Sequence, residues 1–205
     1  YNGFSNHFQP LDNIETVTQK YIPVTGYLFF LGNTDPKKNT PRTLKAYYSY
    51  LQQSKEKRPL LIADLKPEFV DEMLKETGLE NIRPYLYLPG YIPNTDLPFI
   101  YNGAFAFLYT SLRESFGIPL LEAMACGIPV ITSDTSSMPE IGGEGAILTD
   151  PTDERSIAAQ LLLLEHDKEY YQKQSAYGLG RAKCFSWEQT ARELLKLYQS
   201  TVKSK

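Results

Sequence analysis

The sequence predicts an α/β fold: a doubly wound parallel sheet of about six strands, with helices on both faces and further helices toward the C-terminal end. Two observations carry this reading. Short β-branched, aliphatic or aromatic runs alternate with longer amphipathic stretches, the rhythm of βαβ units. The 205 residues are 42% hydrophobic and 22% charged, so a core of ordinary size is available and disorder is excluded. No internal repeat, low-complexity segment or Pro/Gly/Ser linker divides the chain, and residues 1–205 read as one domain.

Each element follows from its own pattern. Strands are expected over 27–32, 60–63, 86–88, 104–109, 129–132 and 146–148, where apolar runs such as YLFFL are bounded by polar residues or glycine. Helical periodicity occupies 41–53, 67–77, 97–101, 119–125 and 153–165 between them. Pro41 and Pro119 stand where a first helical turn accepts proline, because the N–H that proline lacks has no intrahelical partner there. After Glu165 two helix-like stretches, 168–178 and 187–198, follow one another without a strand. They are expected on the outside of the sheet or against another domain, with Trp187 buried as the anchor of the last one. The chain opens inside a turn-like YNG with neither an initiator methionine nor a signal pattern, and is expected to be a piece of something longer.

Charge and cysteine usage narrow the function classes. Lys plus Arg number 21 against 24 Asp plus Glu, a net charge of −3, so the cationic excess that binds nucleic acid is missing. Cys126 and Cys184 are too few and too far apart for a disulfide framework, a CxxC motif or a thiolate zinc site, which points to a reducing, cytoplasmic setting. No apolar run approaches the ~20 residues that span a bilayer, so any membrane contact is expected to be peripheral, at the inner face. His7 and His166 have no ligand-type partners at metal spacing, and no metal site is expected.

In open α/β sheets ligands bind beyond the carboxyl ends of the strands, which makes 32–39, 90–93, 110–119 and 133–139 the expected rim. GxGxxG and GxxxxGK[ST] are both absent, which counts against dinucleotide dehydrogenases and P-loop nucleotidases. The most informative segment is SLRESFGIPLLEAMACGIPVITSD, from Ser111 to Asp134, where a strand feeds a Gly-containing loop and then a helix. Amides near Leu120 and Leu121 are expected to lack intrahelical partners, and the helix dipole adds positive character, so this turn suits a phosphate. A carboxylate beside a phosphate is unfavourable unless it accepts from hydroxyls. That assigns Glu122, expected in the first helical turn, to a ribose diol and Glu114 to a sugar, so the inferred ligand is a nucleotide sugar. Lys37 and Lys38, in GNTDPKKN, bring cations to the same edge, where they would neutralise a leaving diphosphate. Plain structural readings stand beside these: Glu122 complementing the helix dipole for about 0.3–1 kcal/mol, Glu114 as a solvated loop carboxylate pairing with Arg113 or another surface cation, Tyr91 packing in its loop, Glu140 capping a turn.

Five features in order make the chain resemble the retaining glycosyltransferases of family four: YNGF, LGNTDPKKN, LPGYIPNTDLPFIYNGA, ESFGIPLLEAMACGIPVITSDTSSMPEIGG with its Glu-x7-Glu, and FSWEQTARELLKLY. The resemblance implies the C-terminal, donor-binding half of the GT-B architecture, in which two Rossmann-like domains face each other. It implies that Lys38 contacts the diphosphate with Gly32 and Asn33 beside it, and that Tyr91 and Ile92 line the base pocket. Glu114, with the backbone of Phe116, Gly117 and Ile118, would hold the donor sugar, the Leu120 and Leu121 amides a phosphate, and Glu122 the ribose. Glu114 and Lys38 are the catalytic candidates. The implied activity is transfer of a sugar from a UDP-, GDP- or ADP-sugar, with retention, to a carbohydrate or lipid-linked acceptor held by the N-terminal half, in polysaccharide or glycoconjugate synthesis. The leaving diphosphate would assist the acceptor on the same face of an oxocarbenium-like transition state, so neither an enzyme nucleophile nor a cofactor or metal is required, and no Asp-x-Asp motif occurs. The fragment alone is expected to bind the donor and hardly to turn over.

Two positions depart from the family pattern. Asn33 stands where an arginine is common, which removes one diphosphate cation, and Thr110 replaces a proline, expected to affect only the local turn. A nucleotide-sugar 2-epimerase of the same architecture, or a non-catalytic binding module, are the competing readings.

Overall fold

A computed structural model describes residues 1–203. Six strands form one parallel sheet: β1 (Tyr27–Leu31), β2 (Leu60–Ala63), β3 (Leu86–Gly90), β4 (Ala104–Tyr109), β5 (Val130–Ser133) and β6 (Ile147–Thr149). Their spatial order is β3-β2-β1-β4-β5-β6, that of a Rossmann-like doubly wound sheet. The helices are α1 (Glu15–Thr18), α2 (Thr40–Gln53), α3 (Pro67–Thr77), α4 (Leu97–Gly103), α5 (Ile118–Ala125), α6 (Met138–Gly142), α7 (Glu154–His166), α8 (Lys168–Ala182) and α9 (Trp187–Lys203).

The unbroken apolar strands are explained by burial on both faces, since side chains alternate across the pleat and both sides are covered. Phe29, Leu61 and Phe107 point into a core shared with Ile100 and Tyr101 of α4 and with Leu120, Leu121 and Met124 of α5. Leu28, Phe30, Ile62 and Leu108 point the other way, against Leu44 and Tyr47 of α2, Val70 of α3 and Leu161 of α7. Parallel pairing aligns Phe29 with Leu61 on one side and with Phe107 on the other, so the loops that leave β1, β2 and β4 emerge at one edge.

Every expected strand is present within one or two residues, and the differences lie elsewhere. Helix α5 starts at Ile118, one residue early, because Gly117 takes a left-handed φ of 98° at its N-cap. Glu122 therefore sits in the second turn and not the first. The short helices α1 and α6 were not anticipated, and α9 runs on to Lys203. Trp187 is 49% exposed, contrary to the expected burial. The start of α9 is held instead by Thr190, whose hydroxyl donates to the Tyr1 carbonyl at 2.5 Å, and Leu194, Leu195, Leu197 and Tyr198 of the same helix are exposed as well. Among the described residues no helix is long and apolar enough to cross a membrane.

Candidate functional site

The strand order reverses between β1 and β4, the place where a doubly wound sheet forms its crevice. Lys38 ends a 3-10 turn, Pro36–Lys38, in the β1–α2 connection, and Glu114 lies in the β4–α5 connection. Across the crevice Lys38 Nζ stands 2.7 Å from Glu114 Oε1, with the two side chains only 19% and 13% exposed. The Tyr109 ring lies beneath, 5.4 Å from the ammonium. Its hydroxyl is raised by burial first and then by the neighbouring charge of Glu114, with a smaller contribution from Glu122, so one phenol faces both carboxylates.

Side chains and backbone tie the two connections together. The Leu112 amide donates to the Lys37 carbonyl at 2.7 Å, and the Asn39 amide group donates to the Thr110 carbonyl at 3.0 Å. The Thr43 and Thr110 hydroxyls meet at 2.6 Å, both buried. Thr110 is thus a link between the two walls of the crevice as well as a turn residue, which corrects the expectation that its departure matters only locally. Lys37 turns outward into a pair with Asp35 at 3.0 Å, in which both partners are largely exposed, so this pair adds little. Asn33 carries no charge to the site: its side-chain carbonyl accepts the Asp35 amide at 2.9 Å. Gly32 is buried, and a Cβ there would fall 2.7 Å from Phe30.

Glu122 stands in a different environment. Its Oε2 accepts the Tyr101 hydroxyl at 3.2 Å, and among the described residues no cation pairs with it. Burial against α4 pushes its carboxyl up to about 7, with the Tyr101 hydrogen bond opposing the shift. Tyr101 is held edge-on by Phe8, Phe29 and Phe107, at ring separations of 5.7, 5.2 and 5.2 Å. Cys126, at the end of the same helix, is a buried thiol pushed up to about 12 by burial first and then by Glu122, which marks it as unreactive.

The remaining residues expected to line the site are spread along the same edge. Phe116 is partly buried and packs beside Phe185, and Gly117 holds a left-handed φ that disfavours any side chain, with Met138 Cε 2.6 Å from where a Cβ would sit. The side chains of Leu120 and Leu121 are wholly buried, so only backbone is on offer, and the Leu120 amide already reaches the Gly117 carbonyl at 3.1 Å. In the β3–α4 connection Tyr91 is 71% exposed, whereas the Ile92 side chain is buried in the core. Tyr101, Tyr109, Ser136 and Ser137 escaped the sequence reading. Their roles come from convergence of distant elements, although the hydroxyl run TSDTSS at 132–137 was a usable signal.

Comparison with known proteins gives the family and the fold. The model of a family described as glycosyl transferases group 1 matches residues 23–181. The O-antigen chain mannosyltransferase B of Escherichia coli is 34% identical over 185 residues, which cover 89% of this chain and 48% of the relative. Two solved structures share the fold. One is Anabaena Alr3699/HepE in complex with UDP and glucose, with a TM-score of 0.81 at 20% identity, covering 98% of this chain and 56% of that one. The other is the C-terminal domain of a glycosyl transferase group 1 family protein (LpcC) from Francisella tularensis, with a TM-score of 0.72 at 24% identity, covering 88% and 96%. The chain thus spans about half the length of the curated relative.

Proposed function

The chain belongs to the glycosyl transferases group 1 family, and from that membership we propose that it is the donor-binding half of a two-domain transferase that takes its sugar from a nucleoside diphosphate. The observation that carries the proposal is the Lys38–Glu114 pair at the point where the strand order reverses, with Glu122 opening from α5 on the same edge. Lys38 is the cation placed to meet a diphosphate, and its charge stabilises the negative charge that builds on the departing phosphate. Glu114 accepts hydroxyls of the donor sugar, and Glu122 those of the ribose. In this proposal the acceptor belongs to the other half of the enzyme, and transfer proceeds with retention, the leaving diphosphate taking the acceptor's proton on the face that it vacates. The relation to a bacterial O-antigen mannosyltransferase supports a role in surface polysaccharide synthesis and a mannosyl donor. The fold shared with a protein crystallised with UDP and glucose supports a nucleotide sugar as the ligand class.

Calorimetric titration with UDP, GDP and ADP and with their glucose and mannose conjugates tests the proposal, beside a Glu122→Ala variant. One base is expected to bind selectively, and the variant to lose at least tenfold in affinity, about 1.4 kcal/mol. Equal binding by parent and variant would remove Glu122 from the ribose site, and no binding of any of these ligands would overturn the proposal.

A further inference from the structure

Around the Glu114 backbone, side chains of the β5–α6 connection close a second set of bonds that the proposed function does not use. The Glu114 amide donates to the Ser136 hydroxyl at 3.1 Å, and that hydroxyl donates back to the Glu114 carbonyl at 2.7 Å. Ser137 lies with its hydroxyl 3.0 Å from the same carbonyl and 3.3 Å from that of Phe116. The following residue, Met138, fills the space over Gly117. Segment 136–138 therefore packs against Glu114, Phe116 and Gly117.

Two features say that this contact is built with care. Ser136 is held at a φ of 59°, the left-handed region that L-residues with a Cβ avoid, yet the position carries serine and not glycine. The hydroxyl is what glycine would lack, and both of its bonds go to Glu114. The support also has a foundation of its own. Arg181 of α8 donates through Nη2 to the Glu140 carbonyl at 2.6 Å and through Nε to the Ile141 carbonyl at 2.9 Å, which pins α6 to the outer layer. The path from α8 through α6 to Ser136 ends on the residue whose side chain reaches Lys38.

We infer that Ser136, seconded by Ser137, is a positioning residue: it fixes the Glu114 carboxylate where a donor sugar must find it, and so sets how strongly the site prefers a nucleotide sugar to the bare nucleoside diphosphate. The inference rests on the proposed function, in which Glu114 meets the sugar. The part of the two serines is to hold the loop, since both hydroxyls bond its backbone. Freed of them, Glu114 keeps its bond to Lys38 but swings with its loop, and the sugar loses a partner while the diphosphate keeps its cation.

The test is a calorimetric double-mutant cycle on this chain. The affinity ratio of nucleotide sugar to nucleoside diphosphate is measured for the parent, for Ser136→Gly, for Glu114→Gln and for the double variant, with Ser137→Ala as an independent second probe. Glycine keeps the positive φ and deletes only the hydroxymethyl group, so the fold is spared. The ratio is expected to fall about fivefold in Ser136→Gly, the factor of one ordinary hydrogen bond. It should fall by less in Ser137→Ala and no further when Ser136→Gly is added to Glu114→Gln. A merely structural role would weaken both ligands alike and leave the ratio at the parent value, which would overturn the inference while the proposed function stood. A parent ratio of one would remove Glu114 from the sugar and the inference with it, whereas a parent that binds none of these ligands overturns the proposed function first.

Discussion

Glu114 and Glu122 are eight residues apart on one connection and one helix, and the fold treats them in opposite ways. Glu114 meets an ammonium at 2.7 Å, over an aromatic ring, on a loop whose backbone is clamped by serine hydroxyls. Glu122 is set into an apolar wall with a single phenol as donor, and burial pushes its carboxyl up to about 7. The difference teaches that an acidic pair is read by its surroundings. The first carboxylate is kept next to a cation, and the second has a single phenol as its side-chain donor within a largely apolar surround. An ion pair clamped in place on one side and a desolvated, unpaired carboxyl on the other put different demands on two acids of one segment.

The comparison is most easily broken at Lys38. Lys38→Ala leaves Glu114 largely buried without its cation, and the loss of unfolding free energy is expected to be about 3 kcal/mol, measured by urea denaturation. The same variant should weaken nucleoside diphosphates far more than nucleosides, because only the former place charge at the ammonium. A stability loss below about 0.5 kcal/mol would show that the pair is worth no more than a surface contact, and the contrast with Glu122 would collapse.

The second effect tests the other member. The Glu122 carboxyl titrates at 4.5 in a free chain and is pushed up to about 7 in the fold. Below pH 4.5 it is protonated in both states and costs nothing. As pH rises toward 7 the unfolded chain releases its proton first, so stability drains away over that window, by roughly 3 kcal/mol once the fold too is ionised. Glu122→Gln removes the charge and keeps a carbonyl oxygen to accept from Tyr101. Its thermal unfolding should match the parent near pH 4 and exceed it by about 3 kcal/mol at pH 8. A difference independent of pH would mean that the carboxyl is ordinary and that its site is wetter than its burial implies.

The sheet and its order of helices were legible because burial on two faces writes itself as apolar runs, and because Pro41 and Pro119 mark helix starts whatever surrounds them. The crevice was legible too, in the sense that Lys38, Glu114 and Glu122 follow strands whose carboxyl ends must share an edge. What escaped is whatever depends on side chains meeting across long separations. Tyr101 reaches Glu122 from 21 residues away and Ser136 reaches Glu114 from 22. Thr110 looked like a missing proline until Thr43 met it. Trp187 looked like an anchor because an indole usually is one, but whether it is buried depends on what lies against α9. The misplaced helix turn of Glu122 came from a single glycine, Gly117, whose left-handed φ starts the helix one residue early.

The smallest effect sharpens the comparison most. Tyr101→Phe keeps the ring that Phe8, Phe29 and Phe107 surround and deletes only the hydroxyl, so the stability cost is expected to be about 1 kcal/mol or less at pH 8. That hydroxyl is the one group that draws the Glu122 carboxyl downward against burial, so without it the carboxyl moves further up. If ribose hydroxyls donate to the ionised Glu122, nucleotide affinity weakens as pH falls through the Glu122 titration, and each weakened complex releases its proton on binding. The variant should therefore show the same weakening displaced to higher pH, while nucleotide affinity well above the titration stays within about threefold of the parent. Binding measured from pH 5.5 to 9 in both proteins decides it. A profile that does not move with the loss of the hydroxyl would mean that Glu122 does not titrate in the binding event, and that the phenol serves packing alone. A profile that moves ties the fully buried tyrosine to the nucleotide through one carboxylate, and makes the contrast between the two acids a property that can be read in solution.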